Sequence, residues 1–289
     1  MKFRKGDYLK TGFIGAGKVG FTLGKYFSVN GVELSGYYSR NPESALQASE
    51  FTGSAYFKST EELVKQSDIV FITVSDSALE SVYKEVIKYD ISGKMICHCS
   101  GAVTAKDVFC DAEERGVYIY SVHPLFPVSS KTESYKQIKS AFFCIEGSEK
   151  YLSYWVSLFT SLGNSTRIIS GESKVKYHTA CTFASNLVCG LIAESTRLMQ
   201  DCGFSEKEAL NALSPLVLAN IGNVLEKGAV NALTGAVERC DAVTVKKHLD
   251  CLESESERSI YRSLSGKLTE LAQQKHPLTD YTPVLDVLK

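Results

Sequence analysis

His178 and His123 are the side chains of this sequence best suited to move a proton near neutral pH. The chain has five histidines, and an unperturbed imidazole titrates at about 6.5. His178 falls in a run with helical periodicity. Projected at about 100° per residue, Lys174, His178, Thr182, Ser185 and Cys189 share one stripe with Asn186 at its edge. Ala180, Phe183, Ala184, Leu187 and Leu191 fall opposite. Solvated helix faces usually carry Lys, Glu and Gln, whereas this stripe carries small neutral polar groups and a histidine. It suits a cleft wall that hydrogen-bonds a small molecule; the alternative is an ordinary division between core and solvent. On the cleft reading, His178 is the acid/base group, and Ser185 and Asn186 position a substrate. His123 lies in Ser121-Val122-His123-Pro124-Leu125-Phe126-Pro127, at an expected strand exit stiffened by prolines. It either contacts a ligand there or satisfies loop backbone groups.

A second stretch with chemistry is Gly15-Ala16-Gly17-Lys18-Val19-Gly20, a G-x-G-x-x-G string between a strand pattern and a helix pattern. In that context Gly15 permits a tight turn, Gly17 lets the backbone approach a pyrophosphate, and Gly20 lets the helix pack on the sheet. The helix start adds unpaired N–H groups and the positive end of a dipole. Without a ligand the same string is only a tight strand–helix turn. NAD-selective proteins place an acid at the end of the second strand, but here the strand ends Tyr37-Tyr38-Ser39-Arg40-Asn41. A carboxylate would repel a 2′-phosphate. Ser39 and Asn41 can instead donate hydrogen bonds, and Arg40 can pair with the phosphate and stack on adenine. This favours NADP(H) over NAD(H), unless Arg40 is simply a solvated surface charge. Open α/β sheets bind ligands beyond the carboxyl ends of their strands, which adds Val74, Ser75, Asp76, Ser100 and Gly101 to the cofactor-binding set. His98, inside a strand, reads as a packing residue.

The elements that must position these groups follow from the pattern. Strands are expected at 10–14, 32–38, 68–74, 95–99, 118–122 and 141–146, with helices between the early ones. Asn41-Pro42 opens a helix with a cap residue followed by proline, Ser59 to Glu62 fits a capping box, and Asp76 can cap the helix after the fourth strand. Strands alternating with helices predict a parallel sheet covered on both faces. From Glu172 onward the pattern is helical only: one long helix over 173–202, then 205–226, 241–253 and 257–275. Ser205 and Glu208 form a further capping box. The expected architecture is a doubly wound Rossmann domain over residues 1–168 and an all-helical domain over 169–289. In the segment 233–241, Asp241 caps the next helix, and Thr234 and Arg239 anchor either an anionic substrate or a subunit contact.

Composition excludes several classes. With 289 residues, 44% hydrophobic and 22% charged, the chain can bury full cores without disulfide or metal staples. A net charge of −1 gives no electrostatic reason to bind nucleic acid or a membrane surface. No run approaches the ~18 apolar residues of a membrane span, and residues 1–10 are polar and basic, unlike a secretory signal. The nine cysteines have no redox or zinc spacing, so free thiols in a reducing cytoplasm are expected and no metal site.

Together these stretches resemble a family of bacterial Rossmann-like proteins whose helical C-terminal domain is of unknown function. The resemblance rests on Gly12 to Gly20, Tyr38-Ser39-Arg40, His123-Pro124-Leu125, Tyr177-His178-Thr179-Ala180 through Asn186, and Leu233-Thr234-Gly235 through Asp241, and it covers nearly the whole chain. Wider relatives are pyrroline-5-carboxylate reductases, deazaflavin-dependent NADP reductases and the 6-phosphogluconate dehydrogenase group. The likeness implies NADP binding, a C-terminal domain like that of the last group, and a homodimer built through it. Hydroxyacid dehydrogenases of that group carry a catalytic Lys with an Asn four residues later; here Lys174 is followed at that spacing by His178, so their mechanism does not transfer. The expected function is hydride transfer between NADP(H) and a small carbonyl or imine. The alternative is an NADP-binding sensor or scaffold without turnover.

Overall fold

The computed structural model describes residues 9–289, so most of the segment read for a secretory signal lies outside the described residues. The strands are β1 (Thr11–Ile14), β2 (Leu34–Tyr38), β3 (Ala55–Tyr56), β4 (Ile69–Ile72), β5 (Met95–His98), β6 (Tyr118–Leu125), β7 (Phe142–Gly147) and β8 (Ser165–Ile168). They form one sheet in the order β3-β2-β1-β4-β5-β6-β7-β8. Helices α1 (Lys18–Val29), α2 (Pro42–Thr52), α3 (Thr60–Gln66), α4 (Asp76–Val86), α5 (Ala105–Val108) and α6 (Leu152–Ser161) cover it, and α7 (Lys174–Ala184) follows β8.

Successive strand side chains point to opposite faces, and the cores divide accordingly. Phe13, Phe71 and Cys97 join Phe27 of α1 and Trp155 and Phe159 of α6 on one face. Ile14, Val70, Ile72 and Ile96 join Leu79 and Tyr83 of α4 and Val108 of α5 on the other. Each fully buried ring or branched chain contributes about 1.5–3 kcal/mol. These clusters fix the carboxyl ends of β1, β4 and β5 side by side, which is where the expected site residues emerge.

The sheet departs from the all-parallel expectation at one place. β6 and β7 run antiparallel, and β7 and β8 run parallel. Only short 3₁₀ turns (Ser134–Lys136 and Ile138–Ser140) lie between β6 and β7; without a crossover helix the chain returns in the opposite direction. The longer β6 corrects another expectation. His123 is not at a strand exit but within β6, opposite Cys144 of β7. Pairing with β5 stops at Ser121, so beyond that point β6 is locally an edge, where Pro124 is tolerated.

The single long helix expected over 173–202 is broken. α7 ends at Ala184 and α8 (Asn186–Asp201) starts after Ser185, whose φ −130° and ψ −77° are not helical. Adjacent Ser and Asn side chains compete for backbone groups and weaken a helix at that point. By contacts, one compact unit runs to Ala184 and a second from Ser185, later than position 168, because α7 groups with the sheet.

The second unit holds α8, α9 (Glu206–Lys227), α10 (Ala229–Ala232), α11 (Ala242–Cys251), α12 (Glu255–Lys275) and α13 (Thr282–Val287). Capping boxes at Ser205/Glu208 and Ser254/Glu257 start α9 and α12, and Asp241 caps α11 by accepting the Thr244 N–H at 3.0 Å. Its core is small, built around Val237, Val245 and Val284. Along α9 only Ala209 is buried, while Leu216, Leu218 and Leu225 are 66%, 67% and 82% exposed. Among the described residues no helix is long and apolar enough to cross a membrane.

Candidate functional site

The turn after β1 has the geometry that the glycine string predicts. Gly15 adopts φ +107°, its N–H bonds to the Tyr38 carbonyl at 2.8 Å, and a Cβ there would sit 2.8 Å from the Thr73 carbonyl oxygen. A Cβ on Gly20 would sit 2.5 Å from the Gly15 oxygen, so both positions need glycine for close backbone approach. At Gly17 a Cβ would meet only Thr73 O, at 3.9 Å. α1 begins there with no side-chain cap and no acid in its first turn, so its leading N–H groups stay available to an anion.

This turn opens into a cavity of about 800 Å³ lined by Gly15, Ala16, Gly17, Ser39, Arg40, Asn41, Val74 and Ser75. Lys131 also lines it, its ammonium 5.0 Å from the Phe21 ring centre, a cation that no spacing rule flagged. Asn41 caps α2 by accepting the Glu43 N–H at 3.1 Å, which leaves its amide nitrogen to donate. No ion pair among the described residues engages Arg40. A smaller cavity of about 420 Å³ continues from Gly17, Lys18 and Val19 past Thr73 and Val74 to Asp76, Cys99 and Ser100. The residues present therefore fit a dinucleotide carrying an extra phosphate: a glycine cradle, a helix start and donors without a competing carboxylate at the second strand end.

Contrary to the expectation from sequence, Asp76 does not cap α4; Ser75 is the cap residue, with no side-chain capping bond, and Asp76 is the first helical residue. The Asp76 carboxylate instead accepts the Ser100 hydroxyl at 2.8 Å. Ser100 Oγ also accepts the N–H groups of Ala102 and Val103 at 3.2 and 3.1 Å. The hydroxyl is thus saturated and braces the loop after β5. His98 is fully buried and its Nδ1 accepts the Ser100 N–H at 3.1 Å, a packing role; burial pulls its pKa down to about 3.

Lys174, outside the expected site set, is central to the arrangement. It is 1% exposed, and its ammonium donates to the Ser100 carbonyl at 2.9 Å and to the Ser121 hydroxyl. Burial draws its pKa down against the opposing Glu146 carboxylate. Burial in turn pushes Glu146 up, although Glu146 accepts the Ala105 N–H at 2.8 Å. The available signal was the four-residue spacing to His178, which puts both on one helix face; that face meets the loop after β5 and strand β6.

His123, His178 and Gly101 come together. The two imidazole centres lie 6.0 Å apart at 78°. A Cβ on Gly101 would lie 2.4 Å from His178 Cδ2 and 2.9 Å from His123 Nε2, so glycine lets both rings close on the loop. Tyr177, also unflagged, hydrogen-bonds His123 Nδ1 at 2.8 Å. Burial, with the nearby Lys174 charge, pulls His123 down to about 4. Ser185 and Asn186 belong to the second unit, where both are exposed and the Ser185 hydroxyl donates to Asn186 Oδ1 at 3.1 Å. Among the described residues no group of acids, histidines and cysteines could hold a metal, and all nine cysteines are free thiols.

Comparison with known proteins places this geometry in context. Residues 10–100 match the family model for NADP oxidoreductase, coenzyme F420-dependent, and residues 141–268 match the domain of unknown function DUF2520. Comparison with curated proteins gave no significant match. Among solved structures, a proposed NADP oxidoreductase of Bacteroides fragilis is 20% identical, with TM-score 0.72 over 91% of this chain and 98% of its own. A protein of Thermotoga maritima is 23% identical, with TM-score 0.70 over 92% and 99%. A reductive aminase of Aspergillus terreus, in complex with NADPH4, cyclohexanone and allyl amine, is 17% identical, with TM-score 0.65 over 98% and 100%. At these identities the likeness is one of fold. The chain accordingly joins a Rossmann domain of the F420-type NADP oxidoreductase kind to a C-terminal DUF2520 segment that begins at β7 of the sheet and runs into α12.

Proposed function

We propose that this protein is an NADP(H)-dependent oxidoreductase acting on a small carbonyl or imine, working in the cytoplasm as a homodimer built through its helical domain. The observation that carries the reading is the cavity shared by the Gly15–Gly20 turn and the Ser39-Arg40-Asn41 strand end. Gly15, Gly17 and the start of α1 would hold the pyrophosphate. Ser39, Arg40, Asn41 and Lys131 would receive the 2′-phosphate, with charge-assisted bonds from the two cations.

NADPH, when bound, supplies the hydride; the chain's task is to orient the reacting carbon and handle the proton. The cavity lined from Gly17 to Ser100 supports a bound cofactor whose reactive end would reach the loop after β5. There Lys174 and Ser121 fix the Ser100 carbonyl, and Gly101 admits His123 and His178. His178 is the acid/base group of the proposal, and His123 contacts the substrate. Ser185 and Asn186 remain proposed positioning residues. Support for the dimer comes from α9, where Leu218, Ile221 and Leu225 share one side of a helix with almost no buried residues and are all exposed; a contiguous exposed apolar stripe marks an association face.

The test is NADPH oxidation against a panel of 2-oxo acids, ketones and cyclic imines, for wild type and His178→Ala. Turnover lowered by a factor of about 10²–10⁴ in the variant, the usual share of a general acid/base, supports the assignment. Tight NADPH binding with no turnover on any of the panel would favour the sensor reading.

A further inference from the structure

The hydrogen bond between His123 and Tyr177 determines which ring nitrogen of His123 carries its proton. His123 Nδ1 lies 2.8 Å from the Tyr177 hydroxyl, with the rings edge to face at 84°. The thiols of Cys144 and Cys181 also interact with that hydroxyl. A phenol has a single proton to give, and an imidazole nitrogen is a far better acceptor than thiol sulfur. The favoured arrangement is therefore phenol O–H to Nδ1.

The protonation states agree with this geometry. Burial raises the Tyr177 pKa well above its ordinary value, so the phenol keeps its proton. His123 is pulled down to about 4 by burial and by Lys174, so the ring is neutral near pH 7. With Nδ1 accepting, its one proton sits on Nε2. That nitrogen faces Gly101 and the neighbouring His178 ring.

We infer that Tyr177 is a positioning residue that holds His123 as the Nε2–H tautomer, so that His123 meets substrate as a hydrogen-bond donor to a carbonyl oxygen rather than as a partner for an iminium cation. The second half rests on the hydride-transfer reading; the tautomer does not. The surrounding charges favour the same substrate class. Lys174 places a buried cation beneath the loop, close to His123, and a fixed positive charge there disfavours a protonated imine beside the two rings.

The test is long-range ¹H–¹⁵N correlation spectroscopy of the full-length, histidine-labelled protein near neutral pH, with His123→Gln to assign the resonance. The expected result is an Nε2–H pattern for His123 in wild type, lost to a tautomer mixture in Tyr177→Phe. An Nδ1–H pattern in wild type, or an unchanged pattern in Tyr177→Phe, overturns the inference; the wild-type spectrum decides alone if the variant does not fold. Cyclohexanone and N-methylpyrrolinium are then added to the NADP⁺ complex. A shift of the His123 Nε2–H signal by the ketone and not the iminium supports the substrate class, and a shift by the iminium, or by neither, contradicts it. The spectra need no turnover, so a protein that binds no NADPH would remove the proposed function while leaving the tautomer result intact.

Discussion

The Lys174 ammonium lies 2.9 Å from the Ser100 carbonyl oxygen, bridging 74 residues of sequence and tying α7 to the loop that closes on the proposed nicotinamide end. A lysine with 1% exposure is a costly thing to keep unless its bonds are needed. Replacing it by methionine preserves bulk and strands the Ser121 hydroxyl oxygen, while the Ser100 carbonyl keeps only the Ser121 O–H at 3.0 Å. The expected loss is about 2 kcal/mol, the penalty for unsatisfied buried groups, read from urea midpoints. Loss of turnover should exceed the stability effect, because the Ser100 loop loses its brace.

Acidification should weaken the fold through two histidines. Their pKa values fall from 6.5 to about 3 for His98 and about 4 for His123. Between those values and 6.5 the unfolded chain binds protons that the folded chain refuses. Their contribution is therefore present above pH 6.5 and lost as pH falls through the window toward about 3 to 4. His123→Gln should reduce the slope of stability against pH by up to about 1.4 kcal/mol per unit in that window. An unchanged slope in chemical denaturation series would contradict the burial of a neutral His123.

Gly101→Ala tests the closeness of the two histidine rings. The new methyl carbon would fall 2.4 Å from His178 Cδ2 and 2.9 Å from His123 Nε2, so at least one ring must rotate away. Overpacking of this kind costs about 1–3 kcal/mol, so the fold should survive with a lower Tm. Turnover should fall far more than NADPH affinity, because the glycine turn before α1 is untouched.

Charge on α9 should break the proposed dimer. Leu218 and Leu225 lie on one side of α9 and are 67% and 82% exposed, so Glu at both positions would hardly disturb a monomer yet would bury two carboxylates in an interface. Sedimentation velocity should show a dimer for wild type and a monomer for the double variant. A wild-type monomer would contradict the proposal outright.

What could be read from sequence was local. The glycine turn, the Asn41 cap and the Ser205 box depend on residues within a few positions of one another, and each appears as the pattern implies. The antiparallel β7 was not legible, because its direction depends on what the intervening chain omits rather than on its own residues. β3 has only two residues, and β8, Ser165-Thr166-Arg167-Ile168 and mostly exposed, lacks the buried apolar run that marks β4. Lys174 lies on the cleft stripe with His178, where spacing assigns it no role, and its burial depends on Ser100 and Ser121, distant in sequence. Ser185 and Asn186 looked continuous with His178 on an unbroken helix; a non-helical backbone at Ser185 ends that continuity.

The central claim is that the Gly15–Gly20 turn and the Ser39-Arg40-Asn41 strand end hold NADP(H). The most direct measurement is a fluorescence titration of the purified protein with NADPH and NADH, repeated on Arg40→Ala. The account predicts that NADPH binds at least about tenfold tighter than NADH, a difference of roughly 1.4 kcal/mol, and that the variant loses that preference while still binding NADH. Binding of neither nucleotide, or an NADPH preference unchanged in Arg40→Ala, would contradict it.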